Sequence, residues 1–181
     1  MSELLLDLSL MREARDRVDR TLEPAALPAP DADDFRVGAP VRLAFDIFKD
    51  GAQFRLVGRV GSSLTLACSR CLDDIAVPVD LPFDLLYLPH QENVGGEEVE
   101  VEDDDLTTAY YRDKEIDLGQ LVLEQFYLAL PMKPLCRESC RGLCPRCGMN
   151  LNTATCSCVH EWIDPRLDGL RALRDEGDRK A

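Results

Sequence analysis

Apolar and polar positions alternate at the start of the chain, where Leu4, Leu6, Leu8 and Leu10 are interleaved with Leu5, Asp7 and Ser9. A period of two is the mark of a half-buried strand. A charged stretch follows, and then LEPAALPAPDADD, Leu22 to Asp34, is proline-rich and aperiodic, which predicts an extended surface connection. Val41, Leu43, Phe45 and Ile47 fall on one strand face. Lys49-Asp50-Gly51 supplies a turn, and Phe54, Leu56, Gly58 and Val60 answer on a returning strand, so a hairpin is predicted. Gly61-Ser62-Ser63 predicts a second turn into Leu64, Leu66 and Cys68. After Leu72-Asp73-Asp74 a long alternation runs through Ile75, Val77, Val79, Leu81, Phe83, Leu85 and Tyr87. Strands joined this closely predict an antiparallel β meander or a small open barrel. Pro78 and Pro82 cannot donate to a ladder, so the last strand should lie at an edge or be broken.

The period then changes. IDLGQLVLEQFYLALP opens with Asp117 as N-cap, Gln120 placed to close a capping box, and Ile116 positioned to staple onto Leu121. Two apolar stripes, Leu118/Leu121/Val122/Phe126/Ala129 and Leu123/Tyr127/Leu130, leave a narrow polar edge at Gln120 and Glu124. A helix this apolar is mostly buried, and Pro131 with Pro134 ends it. Asp164-Pro165 predicts a last short helix with Leu167, Leu170 and Leu173 on its apolar side. The fold class is therefore α+β, a meander or small barrel packed on a buried helix. Residues 1–130 form the core, with an acidic loop at 91–105, and residues 131–181 form a cysteine-rich module with the C-terminal helix.

Charge narrows the partners. The chain has 181 residues and a formal net charge of −13, which disfavours a long embrace of a nucleic-acid duplex and suits basic partners. Glu97, Glu98, Glu100, Glu102, Asp103, Asp104 and Asp105 concentrate the acidity in what reads as a solvated loop more than a docking tail. No apolar run is long enough to cross a bilayer, and the N-terminus lacks a basic leader and a small-residue cleavage site. A cytoplasmic protein is expected.

In that reducing compartment, eight cysteines point to metal more than to disulfides. They form four pairs: Cys68-x2-Cys71, Cys136-x3-Cys140, Cys144-x2-Cys147 followed by Gly148, and Cys156-x-Cys158. Two residues between thiolates let both sulfurs reach one ion, and a glycine after the second can turn backbone amides toward them. Four pairs suggest two tetrahedral zinc sites of structural type. One division, which we prefer, joins Cys144, Cys147, Cys156 and Cys158 on one ion and Cys68, Cys71, Cys136 and Cys140 on the other. The competing division makes Cys136, Cys140, Cys144 and Cys147 one cluster and sends Cys156 and Cys158 to Cys68 and Cys71, and spacing leaves both open. His160 is a further candidate ligand, weighed against an ordinary solvated histidine.

Other uses of these cysteines fit less well. Cys140-x3-Cys144-x2-Cys147 has the spacing of a radical-enzyme iron-sulfur motif, but only a short tail follows it. Cys68 and Cys71 have thioredoxin-like spacing without a surrounding βαβ pattern. Buried unliganded thiols account for one or two cysteines and not for four spaced pairs. Neither a nucleophile elbow, nor a phosphate-binding glycine loop, nor a histidine set is present, so no enzyme is expected. Lys133, Arg137, Arg141 and Arg146 make the cysteine segment locally basic, the one place where RNA backbone contact is considered, against the simpler reading of ordinary surface cations.

Cys68-Ser-Arg-Cys71-Leu72, Leu128-Ala-Leu-Pro131, Cys136-x3-Cys140-x-Gly142-Leu-Cys144-x2-Cys147-Gly148-x2-Leu151-Asn152, Cys156-x-Cys158 and Asp164-Pro-Arg166 occur in this order. Together they resemble the bacterial YceD family, also called large ribosomal RNA subunit accumulation proteins. The resemblance implies a non-enzymatic role in synthesis, processing or stability of large-subunit (23S) ribosomal RNA. It also implies a gene that commonly neighbours one for a small, basic ribosomal protein. The expected partner is a large-subunit precursor or such a basic protein, with direct rRNA contact and thiol redox chemistry as alternatives. Family members that keep the first cysteine pair without the last four cysteines imply two separable sites.

Overall fold

The computed structural model describes residues 4–30, 34–90 and 107–158. Its centre is an open, mostly antiparallel sheet in the order β2 (Arg15–Leu22), β4 (Val41–Asp50), β5 (Gln53–Ala67), β6 (Asp74–Pro89), β7 (Thr108–Tyr111), with the two-residue β3 (Arg36–Val37) paired to β5. β1 (Leu5–Asp7) pairs instead with β8 (Glu115–Asp117), immediately before helix α1 (Leu118–Ala129). Strands β4, β5 and β6 form the predicted meander. The barrel alternative is not realised: among the described residues the outer strands β2 and β7 do not pair.

One face of this sheet is the core. Val41, Leu43, Phe45 and Ile47 of β4 and Phe54, Leu56, Val60, Leu64 and Leu66 of β5 are buried as the alternation requires. Helix α1 covers them with Leu118, Leu121, Val122, Leu123 and Phe126. Phe35 wedges edge-on against Phe126 and Tyr127, with ring centroids at 6.2 and 5.3 Å. Each such side chain removed from water stabilises the fold by about 1.5–3 kcal/mol. Asp117 caps the helix as expected, its carboxylate accepting the Gly119 and Gln120 amides at 2.8 and 3.0 Å.

Several expectations need correction. The Leu4–Leu10 alternation yields only a three-residue strand before Leu8–Leu10 turn into a 3-10 helix, whose start is capped by Asp7. The charged stretch that follows is strand β2, invisible to periodicity because only Leu22 of it is buried. Gly61-Ser62-Ser63 does not turn the chain; β5 runs straight through it and pairs with β6 from Phe54↔Tyr87 to Ala67↔Asp74. Strand β7 is parallel to β6. The Gln120 side chain donates to Glu124, and no contact among the described residues has it accepting the Asp117 amide as a capping box requires. Pro78 and Pro82 do lie at an edge, because β7 pairs only with Leu86–Pro89. The acidic loop, His160 and the helix expected at Asp164-Pro165 lie outside the described residues.

Candidate metal centres

The β5–β6 connection is the seed of the site. Cys68 ends β5, and the chain turns through Ser69 and Arg70 to Cys71. The Leu72 amide donates to the Cys68 carbonyl at 3.0 Å, and the Cys68 amide to the Asp73 carbonyl at 2.9 Å. The same loop recurs downstream: the Gly148 amide donates to the Cys144 carbonyl and the Cys144 amide to the Met149 carbonyl, both at 2.8 Å. Each loop needs a positive φ after its second cysteine, 62° at Leu72 and 72° at Gly148. The glycine at 148 announces this conformation in the sequence. The leucine at 72 conceals it.

The two loops dock on one another. Arg70 offers its carbonyl to the Leu143 amide at 3.0 Å and its guanidinium to the Cys140 carbonyl at 2.9 Å. Asn150 reaches the Asp73 carboxylate at 2.9 and 3.2 Å, and the Leu151 amide meets the Gly142 carbonyl at 2.9 Å. These contacts bring the eight thiols into two groups, Cys68/Cys71/Cys136/Cys140 and Cys144/Cys147/Cys156/Cys158, with the sulfurs of each group all within 4.8 Å of one another. This is the first of the two divisions left open by spacing. The first group is the more deeply placed: Cys68, Cys71 and Cys140 are buried and share Ile75 with the main core. In the second, Cys144 is buried, Cys156 and Cys158 are half-buried and Cys147 is exposed.

The geometry suits a thiophilic dication. Cys68 Sγ lies 3.9 Å from Cys140 Sγ and Cys71 Sγ 3.7 Å from Cys136 Sγ. A disulfide requires about 2.05 Å. The edge of a zinc tetrathiolate tetrahedron with bonds near 2.3 Å is roughly 3.8 Å. Backbone and amide donors aim at the sulfurs, with the Cys136 amide 3.4 Å from Cys68 Sγ and Asn152 Nδ2 3.3 Å from Cys140 Sγ. The amides of Arg70 and Cys71 draw the Cys68 thiol down to about 6, and those of Cys147 and Arg146 do the same for Cys144. Cys140 is lowered, first by the Asn152 side chain. In contrast, Cys158 is pushed up to about 12, chiefly by Cys147 and then by burial. Cys71 also rises: the Asp73 amide opposes this, and burial with the neighbouring sulfurs outweighs it. Four sulfurs crowded around one point cannot all be anionic without a cation between them.

Two asparagines and an arginine had no role assigned from spacing. Asn152 accepts from the Arg137 guanidinium and the Arg141 amide at 2.9 Å each, while its amide nitrogen serves Cys140 and Asn150. It therefore ties the loop of the second group to a sulfur of the first. The motif Leu151-Asn152 is the signal that pointed there. Lys133, Arg137, Arg141 and Arg146 are all exposed, and among the described residues no carboxylate pairs with them.

Fold and site together define an α+β protein in which, among the described residues, an open sheet backed by one helix carries a four-cysteine cluster at the end of its longest hairpin and a second in the segment docked beside it. The chain belongs to the YceD family: the family model described as "Large ribosomal RNA subunit accumulation protein YceD" matches residues 56–174. A chloroplastic protein of Arabidopsis thaliana named large ribosomal RNA subunit accumulation protein YCED homolog 1 is 29% identical over 83% of this chain and 53% of its own length. An uncharacterized protein of Mycobacterium tuberculosis (strain H37Rv) is 32% identical over 61% of this chain and 51% of its own. The uncharacterized Bacillus subtilis protein YlbN is 26% identical over 98% of this chain and 99% of its own. The chain thus spans about half the length of the plant and mycobacterial relatives and nearly all of YlbN. No solved structure matches it. Among the described residues, no helix is long and apolar enough to cross a membrane.

Proposed function

We propose that this chain is a non-enzymatic, cytoplasmic factor for accumulation of large-subunit ribosomal RNA, acting by holding a basic ribosomal protein or a basic segment of a subunit precursor. The family match over residues 56–174 carries this reading. The net charge of −13 supports a basic partner. The two cysteine clusters, Cys68/Cys71/Cys136/Cys140 and Cys144/Cys147/Cys156/Cys158, each bind one zinc ion; the first staples the cysteine-rich module to the core of residues 1–130, and the second closes the module on itself. The metal is structural, so the chain needs no open coordination position.

The test is the ratio of large- to small-subunit rRNA in a strain lacking the gene, with and without complementation. A ratio that falls on deletion and returns with the wild-type gene supports the role; an unchanged ratio, in a strain with no second copy, rejects it. A second reading, direct rRNA contact, is favoured by the exposed Lys133, Arg137, Arg141 and Arg146 on the cysteine module. It requires rRNA affinity that falls steeply with salt and weakens when these cations are neutralised.

A further inference from the structure

On the side of the molecule formed by β1 and β2 lies a half-open groove of about 730 Å³ that neither the cysteine clusters nor the family match explains. It exists because two sheet edges face it. Among the described residues, strand β2 pairs with β4 on one side only, and β1 pairs only with β8. The inward face of β2 should carry core residues, as its partners Val41, Leu43, Phe45 and Ile47 do. Toward that side it presents Leu22 and Val18, and then Arg20 and Asp16, opposite Leu43 and Ile47. The apolar floor is made by Leu6, Val18 and Ile47. At the lip Leu10 is 68% exposed and Leu5 40%.

Charge distinguishes the groove from an ordinary gap. Asp7, Asp16 and Glu115 line it with Arg20, and Lys114 stands near Asp7 outside the lining. The Asp7 carboxylate accepts the Ser9 amide and hydroxyl at 2.8 and 2.5 Å, which hold it in its anionic form. Exposed leucines between carboxylates match an extended chain that carries apolar and cationic side chains on the same face, as β2 itself carries Val18 and Asp16. The edge of β2 offers main-chain groups for such a chain to lie along.

We infer that the groove between β1 and β2 docks an extended basic segment of a protein partner, its apolar side chains on Leu6, Val18 and Leu10 and its cations against Asp7, Asp16 and Glu115. This rests on the reading of a basic partner given above and locates its contact surface. Docking there leaves both cysteine clusters untouched.

The experiment uses the whole zinc-loaded chain and two fluorescein-labelled octapeptides, one with leucine or valine and lysine arranged in successive pairs so that each strand face carries both kinds, and the other identical but with glutamate for lysine. Fluorescence anisotropy is read at low and physiological salt. Binding of the lysine peptide at least tenfold tighter than the glutamate peptide is expected. The pair Asp16→Lys and Glu115→Lys should weaken it tenfold or more, as should Leu5→Ser with Leu10→Ser, while Asp80→Lys on the opposite sheet face should not. Circular dichroism checks that each variant folds. No preference for the lysine peptide, or an equal loss with Asp80→Lys, overturns the inference. So does concentration-dependent dimerisation in sedimentation that Leu10→Ser abolishes, which would make the groove a contact between copies. The groove and the ribosomal role fail separately: a fallen rRNA ratio without peptide binding removes only the groove, and peptide binding with an unchanged ratio removes only the role.

Discussion

Leu72 is the residue at which local preference and site geometry conflict. An L-residue at φ 62° costs about 1–2 kcal/mol relative to glycine. Leu72 is 64% exposed, so little packing offsets that cost. Leu72→Gly should leave stability unchanged or raise it by up to about 1 kcal/mol, because relieved strain is partly cancelled by the greater freedom of glycine in the unfolded chain. Leu72→Val should lower it, and urea unfolding of both variants decides. At Gly58 space is the issue. A β-carbon there would lie 2.3 Å from both Phe45 Cβ and the Ala44 carbonyl oxygen, so Gly58→Ala should cost on the order of 3 kcal/mol. Asn152 orients a candidate ligand instead of supplying one. Asn152→Leu should weaken zinc at the Cys68 cluster by about 10–100-fold, measured by competition with a chromogenic chelator, while the fold is retained.

Elements differ in how openly the sequence declares them. The buried residues of β4, β5 and β6 recur with a period of two outside Gly61-Ser62-Ser63, so these strands could be read directly. Helix α1 was legible from Asp117 to Pro131 because its apolar residues recur at the helical period between a cap and a proline. Strand β2 was not, because its inward face mixes Leu22 and Val18 with Arg20 and Asp16 and only Leu22 is buried, too little to leave a pattern. Gly61-Ser62-Ser63 misled because small polar residues usually mark turns, whereas here they sit in the middle of a ladder whose neighbours leave them half-buried. Asp117→Ala should destabilise the chain by about 1 kcal/mol in thermal unfolding, and Gln120→Ala by much less, since only Asp117 bonds the free helix amides. On the outer sheet face, hydrogen bonds from Arg55 hold Asp84 below the usual carboxylate range, as Arg59 does for Asp80. A depressed folded-state pKa adds stability that is present above the unfolded carboxylate range and is lost as pH falls through the folded value. The coupling between Arg55 and Asp84 in a double-mutant cycle should therefore be small at neutral pH, vanish in acid and shrink in salt.

For the whole molecule, the spacing of the cysteines exposed the candidate site and left its wiring open. Spacing left two divisions open, the preferred one joining Cys136 and Cys140 to Cys68 and Cys71 and the competing one grouping Cys136 to Cys147. The structure groups Cys136 and Cys140 with Cys68 and Cys71, because the Ser69 amide donates to the Pro134 carbonyl and the Leu143 amide donates to the Arg70 carbonyl, which hold the post-helix segment on the β5–β6 hairpin. Such contacts between residues some 65 to 75 positions apart leave no local pattern. The difference in burial sets an order of loss. Each cluster has one exposed cysteine, but three of the Cys68 cluster are buried against one of the other, so a chelator should strip the Cys144 cluster first, leaving the Cys68 cluster until the sheet itself loosens.

The most direct measurement is zinc stoichiometry, by elemental analysis and native mass spectrometry under reducing conditions, of the wild-type chain and three variants. Two ions are expected for the wild type. One is expected for Cys71→Ser, one for Cys144→Ser, and still one for Cys144→Ser combined with Cys156→Ser, because the last two thiols share an ion. A wild-type chain without metal whose cysteines form native disulfides would contradict the two-centre arrangement outright. A Cys144/Cys156 double variant that loses both ions would contradict the grouping.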